Sequence, residues 1–198
     1  MKYKAVLFDL DGTLLDYTAA QRKATDNSTK LLDLVNSPEV QNYEARGIPS
    51  TDSQEMKQAF ESAGIQQNPT EFLNNYFGKL SEHGILMEGA KEILESLKGK
   101  VKLAVVSNGP GDVQNPRLKK TGIAHYFSHC FFSRDIGIAK PDPAILHLAM
   151  KTLKVTKQET LFIGDSTTSD QPAAQAAGID FFLFKGDFKN PKLRALLR

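Results

Sequence analysis

The sequence predicts an α/β fold: a parallel sheet between layers of helices, interrupted near its start by an all-helical insert. Three observations predict it. Short apolar runs at residues 5–8, 101–106, 160–163 and 181–184 suit strands buried on both faces, and beyond residue 86 they alternate with helical patterns. From residue 16 to 85 only helical periodicity occurs. Three of the apolar runs end in polar clusters, at residues 9–13, 107–109 and 164–170, where the strands of an open parallel sheet hold ligands.

The first run stops at Asp9 and gives way to Asp9-Leu10-Asp11-Gly12-Thr13. Beyond Leu15, residues 18–34 carry Ala20, Ala24, Leu31, Leu32 and Leu34 at loosely helical spacing. Residues 38–46 make a short helix stopped by Gly47 and Pro49. In residues 52–63, Met56, Phe60 and Ala63 fall on one face before Gly64 ends the helix. Asn68-Pro69-Thr70-Glu71 is a helix start, with a cap, a proline at the first position and a glutamate three after the cap. Phe72, Leu73, Tyr76, Phe77 and Leu80 then share one face. Alternation resumes with a helix at 88–97, the strand at 101–106, a helix that residues 117–121 begin or complete, and a strand at 126–132. A helix at 142–153, the strand at 160–163, a helix at 170–177 closed by Gly178, and the strand at 181–184 follow. The basic tail from Lys185 to Arg198 reads as a solvated terminal helix with Leu193, Leu196 and Leu197 inward. Repeated strand–helix–strand units imply right-handed crossovers.

Composition narrows the function classes. Charged residues at 24 % and hydrophobic ones at 40 % are those of a soluble globular protein. Twenty-five basic against 23 acidic residues give no reason to expect a nucleic-acid polymer or a membrane as partner. No segment approaches the roughly 20 apolar residues of a spanning helix, and the first apolar run is too short for a signal peptide, so a reducing, cytoplasmic setting is expected. Cys130, the single cysteine, reads as a structural thiol in an apolar run. Monomer and homodimer are equally compatible with the sequence.

The clusters carry the chemistry. Asp9 and Asp11 are two apart, so on extended backbone both carboxylates project from one side. At about 4 Å and an effective dielectric near 20 they repel by roughly 4 kcal/mol, which calls for a cation or a shared proton. Gly12 permits a sharp turn, and Thr13 offers a hydroxyl and an N–H to an anion. The strand end thus suits a divalent metal and a phosphate. Ser107, with the N–H groups of Asn108 and Gly109, can donate to phosphate oxygens, and Lys140 can supply a fixed positive charge. Asp165, at a strand end, is expected as a direct metal ligand; Asp170 is an outer ligand, an acceptor behind the ligands, or a simple helix cap.

Asp9-x-Asp11-Gly12-Thr13, Ser107, Lys140, and Asp165 with Asp170 occur in the order and setting of the haloacid dehalogenase superfamily, which the chain resembles over residues 1–15 and about 86–184. The resemblance implies a Rossmann-like three-layer core at 1–15 and 86–198, with a helical cap domain at 16–85. It implies that Asp9 attacks phosphorus to form an aspartyl-phosphate, while Asp11 protonates the leaving oxygen and then takes a proton from water. It implies Mg²⁺ held by Asp9, the Asp11 carbonyl, Asp165 and, directly or at one remove, Asp170, with a small phosphate ester as substrate. Asp11 argues for a phosphate ester over a haloacid, because the dehalogenases of the superfamily lack an aspartate there. Lys23, Lys30, Lys57 and Lys79 sit in no distinctive setting that would favour the phosphonate-cleaving members, which use a cap lysine.

Ser107-Asn108-Gly109, Arg117-Leu118, Thr121-Gly122-Ile123, Tyr126-Phe127 and residues 137–141 resemble the pyrimidine 5′-nucleotidase branch, which points to a nucleoside 5′-monophosphate. Pro110-Gly111 and Gln171-Pro172 depart from the commoner pattern. A sugar-phosphate phosphatase or phosphomutase would use the same core, and a non-catalytic phosphate-binding or interaction protein is the reading from another class. Tyr17, Tyr43, Tyr76 and Phe77 read as packing within the cap rather than as a base-stacking surface.

Overall fold

The computed structural model describes residues 2–197, so Arg198 of the basic tail lies outside the described residues. Strands β1 (Ala5–Phe8), β2 (Lys102–Ser107), β3 (His129–Phe132), β4 (Thr160–Gly164) and β5 (Asp180–Leu183) form one sheet. Every pairing is parallel and the order is β3-β2-β1-β4-β5, which puts the first strand at the centre.

Helices α1 (Tyr17–Ala24), α2 (Thr29–Val35), α3 (Pro38–Arg46), α4 (Gln54–Ser62), α5 (Pro69–Ser81) and α6 (Ala90–Leu97) lie between β1 and β2. Then α7 (Gly111–Lys120) leads to β3, and α8 (Ser133–Ile136) with α9 (Ala144–Leu153) leads to β4. The chain ends with α10 (Asp170–Ala177) and α11 (Pro191–Leu196) on either side of β5.

Strand alternation sorts the core into two layers. Val6, Phe8, Leu103, Val105, Leu161 and Ile163 face α6, α7 and α11 through Ile93, Leu94, Leu118 and Leu193. Ala5, Leu7, Ala104, Val106 and Phe162 face α9 and α10 through Ile145, Leu146, Ala149, Ala173 and Ala174. Each large apolar side chain buried this way contributes roughly 1.5–3 kcal/mol before the entropy of ordering is counted. The expected three-layer α/β core is therefore present. Cys130 is half-buried on β3, and burial pushes its thiol up to about 11, which keeps it unreactive.

The insert has its own apolar cluster. Ala20, Leu34, Val40, Met56, Phe60, Leu73, Tyr76 and Leu80 from α1–α5 pack together, joined by Val113 from α7. The chain leaves for these helices and returns through a narrow neck. Asp16 N–H donates to Ile85 O at 2.8 Å, Met87 N–H donates to Leu14 O at 2.9 Å, and Leu15 bridges Leu86 antiparallel.

Three expectations are adjusted or narrowed, and one element lies outside them. The helical pattern at 18–34 is two helices, because Asp26 and Asn27 take left-handed φ values of 52° and 59° and Ser28 restarts the chain by accepting from Leu31 N–H. Asp and Asn adopt that conformation more cheaply than other side chains. Residues from Arg117 complete a helix rather than begin one: it starts at Gly111, with Pro116 inside it. The strand foreseen at 126–132 is shorter, since residues 124–126 form a 3₁₀ turn. Finally, α8 is a single turn with no periodicity to reveal it. Among the described residues, no helix is long and apolar enough to cross a membrane.

Candidate active site

Asp9 follows β1, Ser107 ends β2 and Gly164 ends β4. In register, Phe8 stands beside Val105 on one side and Ile163 on the other, so the three polar clusters open side by side. They form the floor of a cleft of about 400 Å³, with Asp9, Asp11, Ser107, Asn108, Lys140, Asp165 and Asp170 along it. Its roof is the insert: Tyr17 of α1 and Gln41, Asn42, Glu44 and Arg46 on or beside α3. A larger concavity of about 510 Å³ on the insert, lined by Asp33, Glu39 and Glu55 among others, contains no strand-end residue.

Lys140 lies at the centre of the floor and is buried. Its Nζ is 2.5 Å from Asp9 Oδ1 and 2.7 Å from Asp170 Oδ1, and it donates to Val106 O at 2.9 Å. Burial alone would lower its pKa, but Asp170 and Asp9 together raise it above the usual lysine value. Asn108 fixes the backbone of Lys140 from both sides: Lys140 N–H donates to Asn108 Oδ1 at 2.9 Å, and Asn108 Nδ2 donates to Lys140 O at 2.8 Å. The lysine is thus fixed in place as well as charged.

Asp9, Asp165 and Asp170 offer carboxylate oxygens that all lie within 4.8 Å of one another. One lysine cannot balance three carboxylates. Burial pushes Asp9 well above the usual carboxylate value; Lys140 opposes this, while Asp170 and Asp165 add to it. Desolvation, with Asp170, likewise raises Asp165 against the hydroxyl of Thr13, which donates to Asp165 Oδ1 at 3.0 Å. Asp170 Oδ1 is buried and lacks a hydrogen bond of good geometry despite its nearness to Lys140. An all-oxygen set with two surplus negative charges fits a hard divalent cation such as Mg²⁺.

Two glycines are set by this crowding. Gly12 has φ +82°, and a Cβ there would sit 2.8 Å from Asp165 Cγ. At Gly164 a Cβ would sit 2.7 Å from Asp170 Cγ, so a side chain at either position would displace a carboxylate. Asp170 opens α10 and accepts from Ser166 N–H at 3.0 Å, which ties the loop after β4 to the helix.

The remaining expected residues divide. Ser107 and Asn108 line the cleft; the Thr13 hydroxyl is directed to Asp165, and Thr13 and Gly109 are not among the lining residues. Asp11 lies at the cleft with both oxygens close to partners: Gln114 Nε2 donates to Oδ2 at 2.6 Å, and Arg117 Nη1 is 2.6 Å from Oδ1, an ion pair without a hydrogen bond of good geometry. Arg117 is fully buried, donates to Gln114 Oε1 at 2.8 Å and lies over the Tyr17 ring at 5.6 Å. To reach a substrate oxygen, the Asp11 carboxylate has to leave these partners.

Sequence reasoning missed Gln114, Arg117, Tyr17 and Glu44 as parts of this site. Gln114 and Arg117 are one helical turn apart on α7, a pairing visible only once that helix is known to begin at Gly111. Glu44 follows Val40 at i+4, a carboxylate on the apolar face of α3, and that was a readable signal. It is buried and accepts from Tyr17 Oη at 2.6 Å.

Burial raises Glu44 from 4.5 to about 7; the Tyr17 hydrogen bond and the charges of Arg117 and Arg134 oppose this, and Asp11 adds to it. A carboxyl with a raised folded-state pKa stabilises the fold fully below pH 4.5, and that contribution is lost as pH rises through about 7. The loss is on the order of 3 kcal/mol. Urea unfolding of Glu44→Gln and the unaltered protein between pH 4.5 and 8.5 is therefore expected to show the variant gaining by about that amount on the alkaline side. Parallel stability curves would sink this assignment.

A family model described as haloacid dehalogenase-like hydrolase matches residues 6–184. The chain is 30 % identical over 199 residues to the pyrimidine 5′-nucleotidase PynA of Streptococcus pneumoniae, covering 91 % of this chain and 83 % of that one. It is 32 % identical over 185 residues to a phosphoglycolate phosphatase of Pseudomonas fluorescens, covering 89 % and 67 %. The crystal structure of YfnB from Bacillus subtilis bound to magnesium superposes with a TM-score of 0.85 over 100 % of this chain and 99 % of that one; at 24 % identity, this likeness carries the fold alone.

Proposed function

The chain belongs to the haloacid dehalogenase-like hydrolases, and from that premise we propose that it is a Mg²⁺-dependent phosphatase that hydrolyses a small phosphate monoester through Asp9. Residues 1–15 and 86–198 are its catalytic core and residues 16–85 its cap. The observation that carries this reading is the burial of Asp9 against Lys140, beside Asp165 and Asp170, where β1 opens into the cleft.

A carboxylate attacks a phosphate dianion only if the repulsion between them is cancelled. Lys140 supplies fixed positive charge beside Asp9. Asp9, Asp165, Asp170 and the Asp11 carbonyl would hold the metal, which when bound neutralises the phosphoryl oxygens. An Asp9 oxygen forms a bond to phosphorus as the bond to the leaving oxygen breaks, and Asp11 gives that oxygen its proton. Ser107 and Asn108 receive the phosphoryl oxygens. Water then attacks phosphorus, its proton passes to Asp11, and Asp9 is released with inorganic phosphate. The α3 roof keeps bulk water from the exposed aspartyl-phosphate.

A nucleoside 5′-monophosphate is the proposed substrate class, with the nucleoside as leaving group, supported by the likeness to PynA and to the pyrimidine 5′-nucleotidase YjjG of Escherichia coli. The test is a panel of UMP, dUMP, dTMP, AMP, 2-phosphoglycolate and sugar phosphates, assayed in Mg²⁺ and in EDTA. Metal-dependent release of phosphate is expected, with the nucleotides turned over fastest. Faster turnover of sugar phosphates would replace the nucleotide assignment, turnover only with a bisphosphate activator would make the protein a mutase, and no turnover would overturn the phosphatase reading.

A further inference from the structure

Resting on that phosphatase reading, we infer that Glu44 selects the leaving group. The cleft takes esters whose alcohol is uncharged and bears hydroxyl or N–H donors, and it refuses esters whose alcohol carries a carboxylate or a second phosphate. Its floor holds the attacking carboxylate and the fixed cation, so the phosphoryl group sits there and the alcohol extends toward the roof.

The roof is rich in acceptors; apart from Arg46, its uncommitted donors are the Asn42 amide and the second N–H of Gln41 Nε2, both neutral. Tyr17 Oη is committed to Glu44 at 2.6 Å, and Gln41 Nε2 is committed to Val35 O at 2.8 Å. Glu44 and the Gln41 carbonyl oxygen remain to receive hydrogen bonds. The roof has one basic side chain, Arg46, and it is exposed, where solvent and salt screen it. Glu44 is buried, so its charge acts at close range on whatever lies beneath it. An anionic alcohol would bring a second negative charge into that space with no committed cation to meet it. A sugar or nucleoside would bring donors to waiting acceptors. Discrimination by an unpaired like charge excludes a competitor without weakening the preferred ligand.

Tyr17 of α1, Tyr76 of α5, Asp11 after β1, Arg117 of α7 and Arg134 of α8 are charged and titratable groups around Glu44. The experiment is accordingly run at pH 8, where the carboxyl is ionised. The probes are 2-hydroxyethyl phosphate and 2-phosphoglycolate, which differ only in a hydroxymethyl group against a carboxylate. The unaltered protein is expected to favour the hydroxyethyl ester in kcat/KM by roughly tenfold or more, and Glu44→Gln to bring the two within about threefold.

A purely structural role for Glu44 would lower both esters together; an unchanged ratio in the variant overturns the inference. So does a preference of the unaltered protein for 2-phosphoglycolate, which needs no variant to fold. Turnover of neither ester, nor of p-nitrophenyl phosphate, would instead overturn the phosphatase reading beneath it.

Discussion

Replacing Asp9 by Asn is expected to lower kcat by about 10⁴-fold or more while leaving the protein at least as stable as before. An amide oxygen is a poor nucleophile toward phosphorus, so by the proposed route the covalent step would be lost and only background catalysis from positioning would remain. Stability moves the other way because Asp9 is a costly residue. It is buried with Asp165 and Asp170 nearby, and its carboxyl is driven well above its ordinary value mainly by burial. Asn removes one of the crowded charges, while Lys140 keeps Asp170 at 2.7 Å and Val106 O at 2.9 Å. Steady-state assays at saturating ester, alongside thermal unfolding without added metal, measure both effects. Activity within tenfold of the unaltered protein, or a clear fall in Tm, would contradict this account.

Lys140→Ala is expected to cost about 3–5 kcal/mol of stability at pH 8, together with most of the activity. The change leaves Asp9 and Asp170, both buried, without their shared cation, and it opens the space the lysine stem filled. Lowering the pH should narrow the gap, because the stranded carboxylates take up protons and cease to repel. Urea unfolding of the two proteins at pH 5 and pH 8 decides the matter. A loss under about 1 kcal/mol would mean that water reaches the floor more freely than its burial implies.

Much of the floor was legible in the chain because each of its parts follows a strand. An apolar run that stops at a polar residue announces both its own end and the place where ligands gather, so the sequence alone aligns Asp9, Ser107 and Asp165. Lys140 was legible through its flanking residues, yet its contact with Asp170 was not, since nothing in sequence spacing joins a residue before α9 to the first residue of α10. The roof was harder. Tyr17 looked like one more aromatic packing the insert, and what joins it to Glu44 is a contact 27 positions apart in the chain. Arg117 was visible only as part of a familiar phrase. Its partnership with Asp11 depends on how the sheet brings α7 beside the turn after β1.

The neck between Leu14 and Met87 has a consequence for how freely the roof can be remodelled. Two backbone hydrogen bonds and the Leu15–Leu86 bridge hold the ends of the excursion together whatever lies between them. To the central sheet, the insert is a closed loop, and the entropy of closing a loop grows only logarithmically, by about 0.6 kcal/mol for each doubling of its length. Helices can therefore be added, lost or exchanged above the cleft at little expense to the strands below. The strand-end residues can stay fixed on the sheet while the surface above the cleft is rewritten.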